Sequence, residues 1–181
     1  MLYEYEQQGL GKYARLDPDL QGIFFCAKAL SKDRNDPRPH VHLLYVDGPN
    51  ILGTDGARIH AYHLDIRIPN GWYKVLVCKK THIAIYHDKK IKAEYPKWRK
   101  VLQLRKKIKE KLPVWINPSQ DLDRTIFIIN TEFGEAVNIN FVKDLNHGFD
   151  MHHDENKNLI YFENDEKKLR AAIMAKSKLN E

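Results

Sequence analysis

Nine histidines and 24 carboxylates are the residues on which chemistry would draw first in this 181-residue chain. His40 and His42 would share one face of a strand, because side chains two apart point the same way. His60, His63, His147, His152, His153 and Asp154 complete the candidate metal ligands. None of them stands at a recognised metal spacing from a second cluster, and adjacent His152 and His153 point to opposite faces of a strand. Asp55, Asp65 and Glu94 are acids without a visible catalytic partner. Nuclease chemistry needs several carboxylates around Mg²⁺, and the sequence does not suggest such a group. G-x-S-x-G, the P-loop, G-x-G-x-x-G and H-E-x-x-H do not occur. The expectation is a protein with no catalytic residue, no metal and no cofactor. A small metal-dependent nucleic-acid enzyme stays open as an alternative.

The length suits one domain or two small ones with a substantial core. Hydrophobic residues make up 43% and charged residues 30%, ordinary values for a soluble globular protein. Cys26 and Cys78 lie far apart and outside any C-x-x-C pair, so a disulfide framework is not expected and a reducing, cytoplasmic setting is. Residues 1–8 carry acids and lack the pattern of a signal peptide. No apolar run reaches membrane length. The formal charge of +6 favours polyanionic partners.

Local patterns then place the elements. Met1–Glu6 alternates as a first strand would. Asp17 and Pro18 make a helix start, by capping and by a fixed φ. The helix covers Gly22–Leu30, with Ile23, Phe24, Ala27 and Leu30 on one face and Gln21, Phe25, Lys28 and Lys32 near the opposite one. Pro37 and Pro39 stop it. His40–Val46 reads as a strand, Asp47-Gly48 as a turn, and Asn50–Ile59 as a second strand continuing to Ile66. Trp72–Cys78 and Thr81–Tyr86 are β-branched and aromatic strands. Leu104–Leu112 is a basic amphipathic helix, and the apolar run Thr125–Asn130 reads as an interior strand. Val137–Asn140 is a strand, Phe141–Asn146 a short helix ended by Gly148, and Phe149–His153, Leu159–Phe162 and Leu169–Ser177 are the last strands.

The order of helix, Pro-containing loop, strand, turn and the Thr54-Asp55-Gly56-Ala57-Arg58-Ile59 strand resembles the bacterial sliding clamp, the beta subunit of DNA polymerase III. That family carries Thr-Asp-Gly-His-Arg-Leu at this place, so Ala57 replaces a His. Tyr95-Pro96-Lys97-Trp98-Arg99-Lys100-Val101-Leu102 is similar to the family's Phe/Tyr-Pro-Asp-Tyr-x-x-Val-Leu/Ile-Pro connection. Lys97 replaces the Asp and Gln103 the closing Pro. In the final strand Met174 falls on the family's Met, while Ala175 replaces a Pro and Ser177 an Arg. The resemblance implies an α+β, DNA-clamp-like single domain over 1–181. It would have two pseudo-symmetric β-α-β-β-β halves, about 1–95 and 96–181, with antiparallel sheets and two main helices on one face.

By the same resemblance the protein is a non-enzymatic accessory protein of DNA replication or repair. It would bind double-stranded DNA without sequence preference, tether a partner protein, or both. The helix lysines Lys28 and Lys32 would face phosphates, with Lys143 and the stretch holding Arg105, Lys106 and Lys107 beside them. A short linear peptide of a polymerase or other replication protein would lie on Thr54, Gly56, Arg58, Ile59, Pro96, Val101, Ala172 and Met174. The alternative is a peptide-binding adaptor with the clamp fold and no ring. Trp72–Cys78 and Leu159–Phe162 are the candidate edge strands for assembly. Their charged neighbours argue for a monomer or small oligomer. The small size suits a phage or mobile-element setting.

Overall fold

Asp17 and Pro18 begin the first helix as their chemistry predicts. The Asp17 carboxylate accepts the Asp19 N–H at 2.9 Å, and the helix, α1, runs Asp19–Lys28. It therefore starts earlier than Gly22, and its buried face shifts to Leu20, Gly22, Ile23, Phe25 and Cys26. Phe25, expected near the outer face, is buried and stacks on His60, while Phe24 is only half-buried. The computed structural model describes residues 9–92, 94–95, 97–102, 114–154 and 157–177. The strand expected at 1–6, Pro96, and the basic stretch with Arg105, Lys106 and Lys107 lie outside the described residues.

Two compact units divide the chain at 96/97. The first holds α1 and six antiparallel strands: β1 (Leu10–Ala14), β2 (Leu44–Asp47), β3 (Asn50–Thr54), β4 (Arg58–His63), β5 (Gly71–Lys79) and β6 (His82–His87). Their order is β1-β6-β5-β2-β3-β4. The helix lies against β3 and β4. Under it are Ile51 and Tyr62, directly opposite each other across the two strands, and both are buried. Burying each large apolar side chain contributes about 1.5–3 kcal/mol. The strand expected over His40–Val46 is split. Pro39–His42 forms a 3₁₀ turn, because Pro39 fixes a helical φ at its start, and β2 begins only at Leu44.

The second unit holds α2 (Trp98–Leu102), β7 (Val114–Ile116), α3 (Leu122–Thr131), β8 (Glu135–Ala136) and α4 (Ile139–Lys143). After them come β9 (Phe149–Asp154), β10 (Leu159–Asn164), β11 (Leu169–Met174) and β12 (Lys176–Ser177). The sheet order is β11-β10-β9-β7, and β8 and β12 form a separate two-stranded ribbon. The interior strand expected over Thr125–Asn130 is a helix, α3. Its buried residues, Thr125, Ile128 and Ile129, follow helical spacing, and the Thr125 hydroxyl donates back to the Asp121 carbonyl at 2.8 Å. The apolar run hid that period. The strand expected over Val137–Asn140 gives way to α4, because the Asn138 side chain accepts the Asn140 N–H at 3.0 Å and caps a helix there. The last strand breaks at Ala175 into β11 and β12.

The candidate edge strands are interior ones. β5 is hydrogen-bonded to β6 and β2, and β10 to β9 and β11. Trp72, Tyr73, Ile160, Tyr161 and Phe162 are all buried, which suits strands flanked on both sides. β1 and β7 stand at the ends of the two orders instead. The class is α+β with antiparallel sheets.

Candidate functional site: the Thr-Asp-Gly turn and the outer face of the second sheet

The Thr54–Arg58 segment folds into a turn that satisfies its own polar groups. The Thr54 hydroxyl donates to the Arg58 carbonyl at 2.6 Å and accepts the Gly56 N–H at 3.0 Å. The Asp55 carboxylate accepts the N–H groups of Ala57 and Arg58, each at 3.0 Å. Gly56 takes a φ of +92°, where a side chain would be strained and would also strike the Arg38 guanidinium. Arg58 is buried, which its charge allows only with partners. Its Nε donates to Asp55 Oδ2 at 3.0 Å and its Nη2 donates to the Lys28 carbonyl at 2.7 Å. The motif thus fastens the C-terminal end of α1, where free carbonyls favour a cation.

The other end of α1 is held as tightly. Asp19 is fully buried, and its carboxylate accepts from the Tyr62 hydroxyl at 2.9 Å, the Asp65 N–H at 2.8 Å and the Ile66 N–H at 3.2 Å. Burial, then the bond to Asp19, pushes the Tyr62 hydroxyl far above the usual phenol range. Between the two ends, His60 Nδ1 lies 2.9 Å from the Phe25 carbonyl, and the Cys26 thiol donates to the Ile51 carbonyl at 3.3 Å.

Of the proposed phosphate contacts, Lys32 and Lys143 are exposed and Lys28 is half-buried. The Lys28 ammonium sits over the Phe24 ring, 5.5 Å from its centroid. Of the proposed peptide contacts, Thr54, Arg58 and Ile59 are buried around the turn of the first unit, with Gly56 exposed at its tip. In the second unit α2 packs against β11. That contact brings half-buried Val101 to the strand that carries Ala172, which is buried, and Met174, which is 56% exposed.

A cleft on the outer face of the second sheet was not legible in the sequence. Leu102 of α2 closes it, and His152, Tyr161, Glu163 and Arg170 line it from β9, β10 and β11. The register puts His152 opposite Tyr161 and Glu163 opposite Arg170, whose Nε donates to Glu163 Oε1 at 2.9 Å. Cross-strand pairing, not a sequence pattern, creates the group. Among the described residues the Tyr161 hydroxyl, which is buried, has no hydrogen-bond partner, and burial drives it well above the usual phenol range. Tyr161→Phe is therefore expected to leave stability unchanged or raise it by up to about 1 kcal/mol, because it deletes an unsatisfied group. A urea titration that shows a loss larger than that would reveal a partner for the hydroxyl. Among the described residues no three His, Cys, Asp or Glu side chains come together as metal ligands, and no helix is long and apolar enough to cross a membrane.

No protein-family model matches the chain, and no curated protein does. Solved structures do. A Pseudomonas aeruginosa DNA polymerase sliding clamp with a ligand is 13% identical with a TM-score of 0.56, over 97% of this chain and 68% of that one. The Helicobacter pylori beta clamp bound to a DNA ligase peptide is 12% identical with a TM-score of 0.54, over 98% and 68%. A DNA polymerase III beta subunit of Borrelia burgdorferi is 10% identical with a TM-score of 0.54, over 93% and 64%. The match thus spans about two thirds of the length of these clamps. With six antiparallel strands around α1 in one unit and a four-stranded antiparallel sheet in the other, the chain has the fold of the bacterial sliding clamps, the beta subunits of DNA polymerase III.

Proposed function

We propose that the chain is a non-enzymatic, clamp-like accessory protein of DNA replication or repair, acting in the cytoplasm as a monomer or small oligomer. It contacts duplex DNA through phosphate charges, without reading bases, and tethers a partner. The observation that carries this reading is the orientation of α1 on a clamp fold. The helix buries one face on β3 and β4 and ends at half-buried Lys28; Lys32, expected on the helix, stands exposed on the loop that follows it, in a chain of formal charge +6. Lysines on a solvent-facing helix neutralise phosphates and release counterions, which gives affinity without sequence readout.

Fluorescence anisotropy with a short mixed-sequence duplex tests it. Three contacting lysines predict that log affinity falls with log salt at a slope of about −2.7, or roughly 40-fold between 50 and 200 mM salt. The triple reversal Lys28→Glu, Lys32→Glu and Lys143→Glu should remove most of that slope, and a second unrelated duplex should bind equally. Salt-independent binding, or affinity untouched by the reversals, sinks the proposal.

Exposed Met174 at the end of β11, close to the α2 packing, favours a second reading. There the same fold serves as an adaptor that holds a linear peptide and forms no ring. In that case duplex binding is absent while a partner peptide is protected from proteolysis by the chain.

A further inference from the structure

We infer that the β5–β6 turn of the first unit, together with the end of β1 and the end of α1, forms a second surface that tracks the phosphate backbone of nucleic acid. This rests on the DNA-contact reading above and extends it to side chains outside the helix face. The turn is Lys79-Lys80-Thr81-His82, and all four residues are exposed. Register fixes who stands beside them. Lys79 lies directly opposite His82, and His82 lies opposite Ala14 of β1, so exposed Arg15 follows at the same end of the sheet. α1 also packs against β5 and β6, and Lys28 in its last turn stands near enough to Cys78, one residue before the turn, to favour the thiolate there.

The result is a group of cations at one end of the sheet: Lys79 and Lys80 at the β5–β6 turn and Arg15 after β1, two strands away or about 10 Å across the sheet, with the α1 lysine beside them. Nearby acids do not cancel it. The Asp17 carboxylate is buried and accepts the Asp19 N–H, and that of Asp55 is bonded to Arg58. Exposed Asp33, on the loop after α1, accepts the Asn35 N–H at 2.9 Å and, as a single charge, offsets at most one of these cations. Lys and Arg grouped at one exposed sheet end fit a polymer with closely spaced negative charge. They fit a protein partner poorly, because lysine is depleted at the centres of protein interfaces.

The test uses the whole chain and the Lys79→Glu, Lys80→Glu double variant, which alters only an exposed turn and should leave the fold intact. Wild type and variant are titrated with a mixed-sequence duplex at several salt concentrations. The variant is expected to lose at least about 10-fold in affinity at low salt and about two units of salt slope, with Lys28 and Lys32 in place. A fluorophore on Cys78, which is exposed where Cys26 is buried, should change its emission with the same midpoint. An unchanged variant beside a wild type that binds overturns this inference alone. A wild type that binds no duplex overturns it along with the reading it rests on. A polyglutamate that binds as tightly as duplex overturns the choice of partner.

Discussion

Asp19→Ala should remove about 3–5 kcal/mol of stability and leave the first unit close to unfolded. The carboxylate is fully buried and has three donors aimed at it, the Tyr62 hydroxyl and the N–H groups of Asp65 and Ile66. Alanine makes none of those bonds; the buried Tyr62 hydroxyl then carries its full desolvation cost, and the partly buried N–H groups of Asp65 and Ile66 part of theirs. Asp19→Asn keeps one oxygen that can accept, and should lose roughly half as much. Trp72, buried in the same unit, reports the transition by its fluorescence in urea. A loss below about 1 kcal/mol for the alanine variant would show that the three bonds do not hold α1 on β4.

Gly53→Val carries the second large expected effect. A Cβ at this position would overlap the Cys26 carbonyl oxygen, which is helix backbone and cannot rotate away. Accommodation requires lifting α1 from β3, and the expected cost is at least about 3 kcal/mol, at the upper end for overpacking. Gly22→Ala offers the contrast. Its new methyl meets the Tyr62 ring, a side chain that can tilt once it gives up part of its bond to Asp19. That variant should lose less than Gly53→Val in the same urea experiment. Equal losses, or a valine variant as stable as the parent, would rule out backbone contact as the reason for the glycine.

What the sequence disclosed follows from which signals are local. The helix start at Asp17-Pro18 and the β5 and β6 strands depend on capping and alternation, and each reads off a few residues. The Thr-Asp-Gly segment was expected inside one strand over Asn50–Ile66, but its side-chain bonds fold it into a turn that splits that strand into β3 and β4. α3 did not, because Ile126, Phe127, Ile128 and Ile129 make a continuous apolar run in which helical and strand periods look alike. Burial of Thr125, Ile128 and Ile129 at helical spacing marks the period that the run concealed. The position of β5 and β10 inside their sheets, and the cleft around Tyr161, are products of strand order and register. No single stretch encodes either. Thr54 and Arg58 were read from resemblance as peptide contacts; in the structure Thr54 closes the turn on the Arg58 carbonyl, and Arg58 bonds the Lys28 carbonyl at the end of α1. Burial of the two side chains appears only once the helix lies over the turn.

The seating of α1 on bare backbone at Gly53 also governs how the first unit breathes. Helix and sheet are joined at both ends by polar bonds to β4 and in the middle by contact with β3 without an intervening side chain. Such a layer has no soft spacer along which to slide or fray, so partial opening of the helix exposes the Asp19 and Arg58 charges together with the floor beneath them. The amides of α1 and of β4 therefore belong to one cooperative opening unit that exchanges with solvent only when both let go. The exposed Lys79-Lys80 turn is free of that constraint and can adapt to a partner while the helix stays in place.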